Sequence, residues 1–407
     1  MSPRTASAIP VAPRISGFSY AIRNVVAEAR KLEAAGRTVR YLNIGDPISF
    51  GFRTPVHMIE AAARAMRDGQ NGYAPSVGIL AAREAVAAEC VQPGMPMSPD
   101  RVVITSGTSE GIELALTALA GPGDDVLIPM PTYPLYTAVL AKIGARGVFY
   151  RTDASRGWQP DIEHVRSLIT PATRALVVID PNNPTGATYS AEARRALVNL
   201  ADEFNFPLLA DEVYADLAFD GPVGAIAALN PEAPVITFSS LSKAYLAPGW
   251  RMGWLAIART ERLNDVLAGI QKLADGRLCS NGPMEHALVA ALNGDRSHQQ
   301  AFRDALRERA ELTHRRLNAI EGMSCVAPTA AFYAMPRVEL PAGRTDQDYV
   351  LGLLRATGVL CVYGSGFSSA PEDGLFRIVF LAAPAELSGI YDLIEEFTGQ
   401  FLASGTH

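Results

Sequence analysis

Between residues 102 and 257 short apolar, β-branched runs alternate with helical stretches, and this alternation constrains the fold more than any other feature. The runs are VVIT (102–105), VLIP (126–129), GVFY (147–150), ALVVI (175–179), PLLAD (207–211), VITF (235–238) and WLAI (254–257). Helical patterns such as 109–120 and 190–205 lie between them. Strands alternating with helices predict an α/β unit, here with a seven-stranded, mainly parallel sheet. Beyond about residue 260 the pattern changes. A long helical stretch (298–320) is followed by strand-like FYAMP (332–336) and FRIVFL (376–381) and a closing helix near 384–402. This is the pattern of a smaller α+β domain. A further helix is expected over 21–36, ended by Gly36. The expected division is a flexible segment 1–16, an N-terminal part of the small domain 17–50, a large domain 51–295, and the rest of the small domain 296–407. A chain of 407 residues is too long for a single core.

Composition excludes several function classes. The net charge is -6, with no Lys/Arg cluster to suit nucleic acid. The four cysteines are widely spaced, and neither they nor the six histidines show metal-ligand spacing. No apolar run reaches the roughly 18 residues of a membrane helix. The first residues lack the apolar stretch of a signal peptide, so a cytoplasmic protein is expected.

The lysines carry the next step, because the chain holds only four: Lys31, Lys142, Lys243 and Lys272. Three lie in charged or helix-end contexts. Lys243 instead follows a strand-like run, inside TFSSLSKAYLAPGWRMGW (237–254). An aldehyde cofactor needs a partly desolvated lysine amine. Ser240 and Ser242 flank this lysine with hydroxyls, and Arg251 follows eight residues later. Hydroxyl donors with a fixed cation suit a phosphate.

The run SLSKAYLAPGWRMG resembles the lysine signature of the class I/II aminotransferases, members of the fold-type I enzymes that use pyridoxal 5'-phosphate. The resemblance implies that Lys243 holds the cofactor covalently and that Ser240 and Arg251 hold its phosphate. In ADEVYADL it gives Asp211 the pyridine nitrogen, and Tyr214 and Asn183 (of PNNPTG, 181–186) the ring oxygen. Gly107, Thr108 and Ser109 open a helix after a strand, where free amides bind phosphate readily. Tyr133 in PTYPLY resembles the aromatic that stacks on the ring. In FRIVF, Arg377 resembles the arginine that binds the substrate α-carboxylate, with Gly45 of NIGDP on the same group and Asn183 beside them. Tyr73 resembles the tyrosine that reaches the neighbouring subunit's phosphate, which implies a homodimer with shared sites. The pattern P-x-G-A-F-Y is met by PTAAFY, with Ala330 where relatives often carry glycine.

Within the family YAIR (20–23), LNIGDPISFGF (42–52) and PTYPLYTAV (131–139) resemble the alanine (glutamate–pyruvate) aminotransferase group. The expected substrates are a small amino acid and a 2-oxo acid such as 2-oxoglutarate or pyruvate. An aromatic aminotransferase and a lyase on the same scaffold remain alternatives. An aminotransferase-like transcription factor would need a helix-turn-helix domain, and only about 20 residues precede the enzyme-like region. A substrate with a second carboxylate demands a second cation in the pocket, since a buried unpaired charge is costly. Arg23, in the segment with Tyr20 that covers the substrate in the alanine group, is the first candidate and Arg277 the second.

Overall fold

The computed structural model describes residues 11–12, 15, 21–91 and 94–403, with the backbone alone at 21–24. The seven expected runs all become strands of one sheet: β1 Val102–Thr105, β2 Asp125–Met130, β3 Arg146–Asp153, β5 Thr173–Ile179, β6 Leu208–Asp211, β7 Val235–Ser240 and β8 Gly253–Ile257. The eighth member, β4 Gln159–Pro160, pairs antiparallel with the end of β3 and extends the sheet beyond the seven strands expected. Two residues carry no periodicity to read, and a proline is tolerated because the strand lies on the edge. The order is β1-β8-β7-β6-β5-β2-β3-β4. Of the seven long strands only β8 runs against the rest.

The central parallel strands are almost wholly buried because helices cover the sheet, which is why they read as continuous apolar runs, whereas β3 near the edge is largely half-exposed. Their carboxyl ends share one edge of the sheet, the place where open α/β sheets bind ligands. Helices Thr108–Leu119 and Ala191–Glu203 fall within a residue or two of their expected spans.

The second part is built from both ends of the chain. Arg40–Tyr41 pairs in parallel with Val359–Leu360. Phe376–Val379 lies between Tyr333–Ala334 and Val362–Tyr363, antiparallel to both. Helices Ser297–Asn318 and Pro384–Ala403 match the long helical patterns of the sequence. Helix Ala21–Ala34 sets Val25 and Ala29 into a cluster with Leu354, Leu360 and Phe367. Ala330 is fully buried, and the next residue, Ala331, takes the left-handed φ of 57°.

A buried ion pair fixes the loop after β5. Asp180 and Arg194 meet at 2.9 Å, and Asp180 also accepts the Tyr189 amide at 2.9 Å. The strand end, the loop and helix Ala191–Glu203 are thereby tied together. Burial pushes the Asp180 carboxyl up to about 6, with the Arg194 charge pulling the other way. Arg194→Met leaves that carboxylate buried alone and should cost about 3–5 kcal/mol in urea unfolding. The loss should be larger at mildly alkaline than at acid pH, because a protonated Asp180 leaves no charge to bury. A loss of about 1 kcal/mol or less, the worth of a surface pair, would contradict this account.

Candidate active site

Strand β7 ends on Ser240, and the chain then turns through Lys243 to enter β8 at Gly253. The turn is closed by Leu241 N to Met252 O at 3.0 Å and Ala247 N to Leu241 O at 3.0 Å. The Ser240 hydroxyl accepts the Ser242 amide at 3.2 Å. Lys243 is held in the cavity, where its Nζ donates to the Gly45 carbonyl at 3.1 Å. The amine also lies 5.8 Å from the Tyr214 ring centre and 5.6 Å from that of Phe332.

Beside it lies a cradle of backbone and cation. Gly253 packs against the start of helix Thr108–Leu119, and a Cβ there would fall 2.7 Å from Gly107 C and Thr108 N. Arg251 takes a left-handed φ of 52°, and its guanidinium donates to Pro248 O at 3.0 Å and Ser106 O at 3.3 Å. A Cβ on Gly107, itself at φ 78°, would run into that guanidinium. The Thr108 hydroxyl is buried with no hydrogen-bond partner among the described residues.

Asp211 closes β6 with 3% of its surface exposed. Its carboxylate accepts from the Tyr136 hydroxyl at 3.2 Å and the Val213 amide at 3.4 Å. Burial pushes it up to about 6, opposed by those donors and by the charge of Lys243. Tyr214 and Tyr333 share a hydroxyl–hydroxyl hydrogen bond of 2.8 Å.

Arg377, 1% exposed in an apolar strand, is sandwiched between the rings of Tyr333 and Phe367, each centre 4.8 Å away. It donates to Asn183 Oδ1 at 2.9 Å and to Asn43 O at 2.5 Å. These groups line one cavity of about 750 Å³. Of the sequence candidates, Gly45, Thr108, Ser109, Tyr133, Asn183, Asp211, Tyr214, Ser240, Ser242, Lys243, Arg251 and Arg377 line it, and Gly107 backs it against Arg251. Tyr73 does not line it and is 84% exposed. Tyr20 and the Arg23 side chain lie outside the described residues. Arg277 is spent elsewhere, on Glu110 at 3.2 Å and Ile104 O at 2.6 Å. Sequence reasoning missed Tyr136, Tyr333, Asn43 and Arg30. The tyrosines stood in quoted motifs, PTYPLY and AAFY, but nothing local marks which residue of each faces a carboxylate or a ring.

The family model described as aminotransferase class I and II matches residues 38–387, and the chain belongs to that family. It is 40% identical to an alanine aminotransferase of Mycobacterium tuberculosis, over 96% of this chain and 92% of the relative. It is 37% identical to glutamate-pyruvate aminotransferase AlaA of Escherichia coli, over 92% of this chain and 94% of the relative. Among solved structures, alanine aminotransferase from Pyrococcus furiosus superimposes with a TM-score of 0.93 at 38% identity, covering 96% of this chain and 100% of that one.

The family's cofactor is pyridoxal phosphate, and the cavity fits it. Glycines at 107 and 253 let the Arg251 guanidinium, strand β8 and the first amides of helix Thr108–Leu119 come close together, the buried Thr108 hydroxyl is an unspent donor, and a lysine and a buried carboxylate line the same cavity. Gly253→Ala forces the Gly107–Thr108 backbone to move, so cofactor affinity, titrated by absorbance on the cofactor-free protein, should fall at least about tenfold, roughly 1.4 kcal/mol. Unchanged affinity would mean that the phosphate sits elsewhere.

Proposed function

We propose that the enzyme exchanges amino groups between alanine and 2-oxoglutarate, and between glutamate and pyruvate, in a ping-pong cycle. The observation that carries this reading is one cavity in which Lys243, Asp211, Arg251 and Arg377 each meet a different part of the reaction. The names of relatives matching nearly the whole chain support the substrates. Residues 51–295 form the cofactor-bearing part in this reading, and 17–50 with 296–407 the part that brings Arg377 and Gly45 to the substrate.

When bound, pyridoxal phosphate would supply an electron-accepting ring for the charge left at the substrate Cα when its proton is removed. Arg251, Ser240, Ser242 and the amides at Gly107, Thr108 and Ser109 would hold its phosphate. Asp211 would pair with the ring nitrogen and keep the proton there, the positive nitrogen in turn favouring the anionic carboxylate. Tyr133 would stack on the ring, and Tyr214 and Asn183 would hold its hydroxyl oxygen. Arg377 grips the substrate α-carboxylate with two parallel donors, and Gly45 allows close approach to it. That grip aims the Cα hydrogen at Lys243, whose amine removes the proton and later returns one. The second 2-oxo acid enters on the same Arg377.

A panel of amino donors with pyruvate and with 2-oxoglutarate tests the substrates. Alanine and glutamate should give the highest kcat/KM, and Lys243→Ala should abolish turnover with both. Preference for aromatic donors would favour the aromatic aminotransferase, and product formation without amino transfer would favour a lyase.

The enzyme is read as a homodimer with shared sites, which explains a tyrosine exposed as far as Tyr73. Four free thiols suit a reducing compartment such as the cytoplasm. Mixing inactive Lys243→Ala with an inactive Tyr73 variant should restore activity through hybrid dimers. No recovery despite demonstrated subunit exchange would place Tyr73 outside the neighbour's site.

A further inference from the structure

An enzyme that uses both alanine and glutamate must accept one substrate with a single carboxylate and another with two. The charges lining the cavity decide where the second carboxylate can go. Among the described residues four cations line it: Arg30, Lys243, Arg251 and Arg377. Lys243 lies against Gly45, Arg251 is pinned by Pro248 and Ser106 beside the cradle, and Arg377 by Asn183 and Asn43. Each of these three serves the reacting end or the cofactor in the reading above.

Arg30 stands apart from them. It belongs to helix Ala21–Ala34, whose residues 26, 27 and 30 line the cavity while 25 and 29 are buried in the neighbouring apolar cluster. Residues three and four apart share a helix face, so the helix presents one stripe to the core and another to the cavity. Arg30 is exposed and makes no ion pair among the described residues. Glu33, the acidic residue one turn on, is engaged by the Tyr41 hydroxyl. Asp46, the acidic neighbour on the cavity wall, spends its carboxylate on the Ile48 amide at 3.0 Å and the Ser49 hydroxyl at 3.2 Å. The guanidinium therefore has no anion of its own among the described residues and stands on the wall of the cavity.

We infer that Arg30 is a specificity-determining residue that receives the side-chain carboxylate of a dicarboxylic substrate, glutamate or 2-oxoglutarate. The inference rests on the dual-substrate reading above. A long, solvated arginine suits the task. It can swing in to meet a second carboxylate and back into water when alanine or pyruvate occupies the cavity, so neither substrate leaves a charge buried alone. Position 23 lies on the same helix face as position 30, about two turns towards the N-terminus.

The test compares wild type with Arg30→Gln, which removes the charge but keeps a helix-forming chain of similar length, and with Arg30→Lys and Arg23→Gln. Two readouts are needed. The first is kcat/KM for glutamate and alanine in separate half-reactions. The second is calorimetric binding of glutarate and of propanoate, unreactive acids with two and one carboxylates. Arg30→Gln should lower the glutamate-to-alanine ratio of kcat/KM about tenfold and weaken glutarate relative to propanoate by a similar factor. Arg30→Lys should recover part of both effects. Equal losses for the two substrates, or the whole effect residing in Arg23→Gln with Arg30→Gln like wild type, would overturn the assignment. A wild type that neither turns over glutamate nor prefers glutarate would instead bring down the dual-substrate reading and the inference with it.

Discussion

The site depends on a full positive charge placed where water does not reach. Arg377 is almost wholly buried, and such a charge is tolerated only with donors and acceptors in good geometry. Four separate stretches supply that geometry: Asn183 from the loop after β5, the carbonyl of Asn43 from the N-terminal segment, and the faces of Tyr333 and Phe367. Each is held in its own way, the Asn183 loop by the buried Asp180–Arg194 pair and the Tyr333 hydroxyl by Tyr214. The guanidinium organises its surroundings as much as they organise it. A planar fork held in this manner is matched by a planar carboxylate.

A second electrostatic feature lies at the ends of neighbouring strands. Asp180 and Asp211 are buried and Glu212 half-buried, and loss of solvent pushes them up to about 6, 6 and 7 respectively. A carboxyl raised in this way weakens the fold as pH rises through the interval between its unfolded and folded values. Asp180 is compensated by Arg194, and Glu212 by the Ile226 amide at 2.7 Å. Asp211 has the Tyr136 hydroxyl and the Val213 amide, and a positively charged ring nitrogen is the partner that would draw it back to its anionic form.

The large sheet was legible because its strands are long enough to carry a pattern, and Lys243 because a scarce residue stood inside a long specific motif. Arg377 stood out for a similar reason, as a charge in a run that otherwise reads as core. The strand Gln159–Pro160 was invisible because two residues cannot show an alternation. Tyr333 and Asn43 join the site through long-range contacts, 119 residues apart for Tyr333 and Tyr214 and 334 for Asn43 and Arg377, and no local signal encodes such a meeting. In PTYPLY the sequence pointed to Tyr133, which lines the cavity, but not to Tyr136, which the following helix turns inward towards Asp211. Arg30 looked like one more charge on a solvated helix, and only the packing of Val25 and Ala29 shows which stripe of that helix is left to face the cavity.

The short segment Leu42–Gly45 joins these parts in a way that bears on timing. Leu42 O is taken by the amide of Val379, Asn43 O by Arg377, and Gly45 O by the amine of Lys243. In the proposed cycle the first two contacts would belong to the strand that grips a carboxylate, and the third to the residue that exchanges partners. Whenever Lys243 turns its amine elsewhere, the Gly45 carbonyl loses its donor while the other two contacts persist. The segment is then tethered at one end and released at the other, so the chemical state of the lysine becomes mechanical slack in the floor beneath the substrate.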